Sequence, residues 1–343
     1  MPINVVKKTL ERLIESKLTA STRILWHAGE PLTMGKTHFK KCLDVVNNNS
    51  KSIIEIEHLI QTNATLIDDE WCEIFKQYDV KVGVSLDGPN YIHDRHRKSW
   101  TNQGTHVKVE SGIELLKKHE IDFDIISVLT PYSLDYPREI FEYLVDSGCR
   151  SFGFNLEESD GHNESGIKIT HLEKYKRFMS EIFRLSLKIG RPRICREFAK
   201  LYQGLANLTL PRQKKLTLQT RPFGIISVDI KGNFSTFSPE LLSPTLESSN
   251  DFILGNVFEH SFIQRLETAK FKKIAGDIDQ GVGMCSESCE YFNVCFGAPP
   301  SNKLIENGSF ASTQTMFCTF TKKSLTNLMI SLLENQVKEV NNA

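Results

Sequence analysis

The chain has 343 residues, 40% apolar and 24% charged, with 42 basic against 42 acidic side chains and so no net charge. That is enough for one large or two modest globular domains, and with no long basic run it gives no reason to expect a nucleic-acid partner. The opening MPINVVKKTLERLIESKL is amphipathic and charged, unlike a secretory signal, and no apolar run can span a bilayer, so no membrane partner and a cytoplasmic location are expected.

Residues 3–18 carry Ile3, Val6, Leu10, Leu13, Ile14 and Leu18 at the spacing of one helix face. Ile24-Leu25-Trp26 reads as a short buried strand, followed by a helix containing Phe39, Leu43 and Val46 and a strand over Ile53–Thr62. Asp68–Tyr78 reads as a helix capped by Asp68, and Val80–Leu86 as a strand stopped by Asp87-Gly88-Pro89. A helix over 104–119, a strand over 121–129, a helix over 136–147 and a strand over 151–156 continue the series. Strands alternating with helices predict parallel βα units, whose functional face lies at the C-terminal strand ends. Those ends here are Trp26-His27-Ala28-Gly29-Glu30, Gln61-Thr62-Asn63 and Ser85-Leu86-Asp87.

Beyond about 165 the alternation stops. Helices are predicted over 170–189 and 194–208, a hairpin over 225–237 turning at Lys231-Gly232-Asn233, and a closing helix over Lys322–Val340. The domain division expected is 1–210, 211–321 and 322–343, with the boundary in the Leu210–Arg221 stretch.

Cys285, Cys289, Cys295 and Cys318 form C-x3-C-x5-C and a fourth cysteine after a 22-residue gap. Four thiolates suit a cubane iron–sulfur cluster or a tetrahedral zinc; the alternatives are two disulfides or four buried thiols. The segment Cys285–Phe296 reads as a short loop wrapping such a centre. Cys42, Cys72, Cys149 and Cys195 are isolated and read as buried thiols.

The strand ends together with these cysteines resemble the radical S-adenosylmethionine (SAM) enzymes. Trp26-His27-Ala28-Gly29-Glu30-Pro31 resembles the family's GGEP motif. Gln61–Ile67 resembles its QTNGTLI strand, and Ser85–Pro89 with His93, Asp94 and Arg97 its SLDGP…HD…R stretch. The cysteine segment resembles the SPASM extension of peptide- and protein-modifying members. Phe237–Leu242, the Cys289–Cys295 run and Ser301–Leu304 with Glu306-Asn307-Gly308 resemble the cyclophane-forming peptide maturases most.

The resemblance implies an α/β fold: a partial parallel (β/α) barrel lacking its first strand, plus a small α+β SPASM-like domain. It implies SAM contacts from Ala28, Gly29, Glu30, Asn63, Ser85, Asp87 and Arg97, with Ser85 on the ribose and Arg97 on the carboxylate. Ala28 departs from the commoner glycine. Cys285, Cys289, Cys295 and Cys318 would hold one auxiliary [4Fe-4S] cluster, and Glu240 is a candidate acid/base or peptide-contacting group. Asn63 and Ser85 as turn caps, and Glu240 as a surface carboxylate, are the structural alternatives. The implied partners are a ribosomally made precursor peptide and an electron donor such as flavodoxin or ferredoxin.

The family's C-x3-C-x2-C loop has no counterpart, since no cysteine precedes Cys42. The expectation is therefore a truncated enzyme, inactive alone, explained by a separately encoded N-terminal segment, a misplaced start or a decayed gene. Two rival functions stand beside side-chain cross-linking. One is a sulfatase maturase that forms formylglycine; the other is a non-catalytic peptide-binding protein with zinc on the four cysteines.

Overall fold

Five strands line up in chain order, all parallel, in the computed structural model of the chain: β1 (Ser21–Trp26), β2 (Glu55–Thr62), β3 (Lys81–Ser85), β4 (Phe123–Leu129) and β5 (Ser151–Leu156). The structure describes residues 1–50, 53–158, 165–207, 217–242 and 252–341, so most of the expected boundary stretch from Leu210 lies outside the described residues. Helices α2 (Lys36–Ser50), α3 (Asp69–Gln77), α4 (Asn90–His96), α5 (His106–Lys118) and α6 (Pro137–Asp146) join the strands, and α1 (Ile3–Ser16) precedes them. The expected partial parallel barrel is thus present as a five-stranded half-barrel, followed by a cysteine-containing C-terminal region.

The period-two pattern of the strands divides the sheet into two faces. Ile60, Val82, Val84, Phe123, Ile125, Leu129, Phe152 and Phe154 are buried on one face. The alternate positions, Leu59, Gln61, Lys81, Ser85, Asp124, Ile126 and Asn155, are half-buried or exposed. The register pairs Gln61 with Gly83 and Ser85 with Ile126, and Gln61 Nε2 reaches across from β2 to the Ser85 hydroxyl of β3 on the second face.

Local chemistry sets the helix ends. Asp68 accepts a hydrogen bond from the Trp71 N–H at 3.0 Å and caps α3, as its position predicts. Helix α1 ends at Ser16 with Lys17 in the left-handed region, so Leu18 is outside it. Among the helices that join the strands, α4 was not foreseen. The charged stretch after Gly88-Pro89 forms α4, whose first residue follows Pro89 and whose Arg97 N–H bonds back to the His93 carbonyl.

The chain divides into two units that interleave in sequence. One comprises Thr19–Glu157 and Arg177–Ala199, and holds the parallel sheet. The other comprises Met1–Leu18, Glu158–Lys176 and Lys200–Ala343. In the second, Ile226–Val228 and Asn233–Thr236 form the predicted hairpin, and Gly255–Asn256 adds a third strand. Asp229 shapes the hairpin turn by accepting from the Lys231 and Asn233 N–H groups, and Gly232 takes a φ of 87°. Its core gathers Val5 with Phe223, Phe234, Phe237, Phe262, Phe271 and Phe310. Among the described residues no helix is long and apolar enough to cross a membrane.

Candidate functional site at the strand ends

Glu30 follows the β1 end and ties it to the end of β2. Its carboxylate accepts from the Thr62 hydroxyl at 2.7 Å, the Asn63 N–H at 2.7 Å and the Leu32 N–H at 3.1 Å. Three donors on one carboxylate fix the strand end and start the 3-10 turn Pro31–Met34. Just before it, Ala28 and Gly29 take φ of 73° and 66°. A Cβ added to Gly29 would meet nothing within 4 Å, so the backbone here is open to an incoming ligand. Ala28 shows that the left-handed backbone, not the absence of a side chain, is what this turn enforces.

Asn63 uses its Oδ1 to accept from the Thr65 N–H and hydroxyl at 3.0 and 2.8 Å, an Asx turn, and its Nδ2 has no partner among the described residues. On the neighbouring strand the Ser85 hydroxyl accepts from Gln61 Nε2 at 3.1 Å. Gly83 makes room for that pair, because a Cβ there would lie 2.4 Å from Gln61 Oε1. Ala28, Gly29, Glu30, Asn63 and Ser85 therefore all sit at or just beyond the C-terminal ends of β1–β3.

Asp87 and Arg97 are placed differently. Asp87 is buried, and the Arg97 guanidinium forks onto it at 2.5 and 3.0 Å. The same carboxylate accepts from the Val128 N–H at 2.8 Å, bracing β3 against β4. The Asp87 N–H in turn donates to His93 Nδ1 at 3.3 Å, which leaves His93 Nε2–H to donate to the Thr105 hydroxyl at 3.1 Å. Burial pushes the His93 imidazole down to about 4, so it is neutral at pH 7. Asp87 and Arg97, expected from the resemblance as SAM contacts with Arg97 on the carboxylate, are thus engaged with one another, with His93 behind them.

Glu240 lies in the second unit, in the short 3-10 turn Pro239–Leu242, where it is exposed. Its carboxylate accepts from the buried Ser238 hydroxyl, which also bonds the Ser301 hydroxyl at 3.2 Å.

The four clustered cysteines require a correction. Among the described residues, no group of three or more His, Cys, Asp or Glu side chains is arranged to hold a metal ion, which overturns both the [4Fe-4S] centre and the zinc alternative. The reason lies in the segment's backbone, which is helical where a wrapping loop was expected. Cys285 is in the last turn of a 20-residue helix, Ala269–Ser288, and Cys289 is its C-cap. Cys295 ends the short helix Phe292–Cys295, and Cys318 ends Met316–Cys318. The four thiols are therefore placed by three helix ends, Cys285 and Cys289 sharing one, and all four line a cavity of about 150 Å³ instead of meeting at a point. All four are free thiols. The buried Lys303 ammonium, in the Ser301–Leu304 stretch but given no role from the sequence, donates to the Gly281 carbonyl at 2.9 Å and contacts Cys285 Sγ at 3.4 Å. Burial also holds the Cys318 thiol up at about 11 and raises that of Cys295. Cys42, Cys72, Cys149 and Cys195 are buried, as read from the sequence.

An open-backed strand-end rim on a half-barrel of parallel βα units defines a class, and comparison with known proteins supplies its name. Residues 1–144 match the family model of the radical SAM superfamily. The chain is 39% identical to the uncharacterised protein sll1766 of Synechocystis sp., over 98% of this chain and 86% of that one. It is 23% identical to a serine-type anaerobic sulfatase-maturating enzyme of Bacteroides thetaiotaomicron, over 88% of this chain and 75% of that one. Among solved structures, native anSMEcpe with bound AdoMet and Kp18Cys peptide superposes with a TM-score of 0.74 at 20% identity, covering 100% of this chain and 91% of that one. The chain belongs to the radical SAM superfamily.

Proposed function

We propose that the chain binds SAM over the rim of Ala28, Gly29, Glu30, Asn63 and Ser85 and acts on a peptide or protein chain. Support for the ligand comes from the open, left-handed backbone at Gly29, set beside a partly buried hydroxyl and an amide with an unused donor. Those are uncharged groups suited to an adenosyl and amino-acid ligand. SAM, when bound and given one electron by a separate donor, would leave methionine and supply the 5′-deoxyadenosyl radical for hydrogen-atom removal from a substrate carbon. In this reading Ser85, its hydroxyl held by Gln61, orients the ribose, and Asn63 Nδ2 reaches the same ligand. Glu30 holds the rim together; Asp87 and Arg97 brace it from below through Val128.

For the substrate, the sulfatase-maturating reading is preferred to side-chain cross-linking. It rests on the relative of that activity that aligns with 88% of this chain. A precursor peptide and a flavodoxin-type electron donor remain proposals of the same reading. Calorimetric titration tests the ligand. SAM should bind one to one, and Ser85→Ala and Glu30→Ala should each weaken it by about tenfold, the equivalent of one hydrogen bond. No heat of binding to the parent chain sinks the SAM reading. A sulfatase-derived peptide carrying the target cysteine or serine should then bind more tightly than a glycine-rich precursor peptide; the reverse order favours cross-linking.

A further inference from the structure

One surface feature has no part in the rim. Beyond α4 the chain makes a small closed hairpin, pinned by a bridge between Lys98 and Gly104. Inside it the Ser99 N–H donates to the Gln103 carbonyl at 2.8 Å, the Asn102 N–H to the Ser99 carbonyl at 2.9 Å, and the Ser99 and Thr101 hydroxyls meet at 2.9 Å. The base is fixed as well: the Thr105 N–H reaches the Arg97 carbonyl at 3.2 Å, and Arg97 is clamped on Asp87. At the tip Trp100 is fully exposed.

A tryptophan offers about 150–250 Å² of contact surface, so one held wholly exposed on a pinned loop is a ready anchor for a partner. Beside it in sequence stand two cations, Arg95 and Lys98, and one carboxylate, Asp94. Arg95, His96 and Lys98 are exposed and make no ion pair among the described residues. The acidic side chain in this stretch, Asp94, is occupied by the His106 N–H at 2.9 Å. Arg95 also lies 4.3 Å over the Tyr132 ring, while Tyr132 and Tyr91 both pack on Tyr136.

We infer that the Trp100 hairpin, with Arg95, His96 and Lys98, is the docking surface for an acidic protein that presents an apolar slot to the indole. The shape selects a folded partner: Trp100 protrudes, and a knob needs a hole, which an extended peptide lacks. The chemistry selects an acidic one, since unpaired cations steer and orient a negative face. Tryptophan and arginine are also the side chains on which interface energy concentrates. A membrane surface fits less well, because Trp100 is flanked by Ser99, Thr101 and Asn102, with no second bulky apolar side chain at the tip.

This goes beyond the proposed function, and flavodoxin, a small acidic protein, is the probe. The chain is labelled with 5-fluorotryptophan; its Trp26 and Trp71 are buried, so three resonances separate one exposed indole from two protected ones. Flavodoxin should shift the Trp100 resonance alone, and its Kd should weaken by about tenfold in Trp100→Ala and again in Arg95→Glu/Lys98→Glu. Raising salt should weaken binding of the parent chain more than that of the charge-reversed variant. The inference is overturned if flavodoxin leaves the Trp100 signal unmoved, if both variants bind it like the parent, or if phosphatidylserine vesicles shift the signal and flavodoxin does not. SAM binding is measured separately by calorimetry, so loss of this inference leaves the rim reading standing, and loss of the rim reading shows there first.

Discussion

His58 and His93 are buried imidazoles held neutral, each pushed down to about 4 by desolvation. In the unfolded chain both take a proton near pH 6.5, whereas in the fold they resist it until about pH 4. Protons thus bind the unfolded state preferentially between those limits. Stability is fully present above about pH 6.5 and falls as pH drops toward 4, by on the order of several kcal/mol for the two together. Urea unfolding at a series of pH values should show that decline, and His93→Gln should flatten it; a midpoint constant from pH 7 to 4.5 would refute the assignment. Glu30 makes a second case. Replacing it with alanine leaves the Thr62 hydroxyl and the Asn63 and Leu32 N–H groups without their acceptor. Destabilisation of about 1–3 kcal/mol should accompany the loss of SAM affinity, measured by chemical denaturation. The sequence marked Glu30 through its motif, but its three donors became visible only once β1 and β2 were adjacent. Asn63, by contrast, caps a local turn through its Oδ1, the alternative its sequence position allowed, and the bonds lie within a few residues.

Among the elements, the βα alternation was legible because each strand buries one face and so keeps a period of two. The helix Ala269–Ser288 was not, since Gly276, Gly281 and Gly283 dilute its apolar periodicity and the cysteines suggested a loop. Gly281 shows what the glycine is for: a Cβ there would lie 2.1 Å from the Phe310 carbonyl oxygen. Gly112 does the same on α5, where a Cβ would lie 2.4 Å from the Ala64 carbonyl oxygen. Both contacts are with backbone, which cannot swing aside, so Gly112→Ala and Gly281→Ala should each destabilise by about 1–3 kcal/mol, read from thermal unfolding. Gly83→Ala crowds the Gln61 side chain, which can move, and meets the Ile60 carbonyl oxygen at an ordinary 3.4 Å. It should leave stability nearly unchanged while releasing Ser85 from Gln61 and weakening SAM binding. Equal effects of Gly83→Ala and Gly112→Ala on stability would contradict this distinction.

On the scale of the whole molecule, the grouping of α1 with the C-terminal residues was beyond any local pattern, because long-range packing decides it. Val5, Val6 and Leu10 are buried, Val5 in the phenylalanine-rich core, and Arg12 Nε reaches the Val257 carbonyl at 2.9 Å. Removing residues 1–18 should strip about 1.5–3 kcal/mol for each buried aliphatic side chain from that unit. Hydrogen exchange should then quicken around Phe223, Phe234 and Phe262 and stay unchanged in β2–β4. Faster exchange in the parallel sheet instead would argue that α1 supports the other unit.

That arrangement also bears on biosynthesis. Val5 is polymerised roughly 220 residues ahead of Phe223, a wait of about 10–40 s at ribosomal speeds of about 5–20 residues per second. Throughout that interval the greasy stripe of the first helix has no native mate, while the parallel strands are already emerging. A nascent chain in this state is a substrate for chaperone capture, and slowing translation between β5 and the hairpin would prolong its vulnerability.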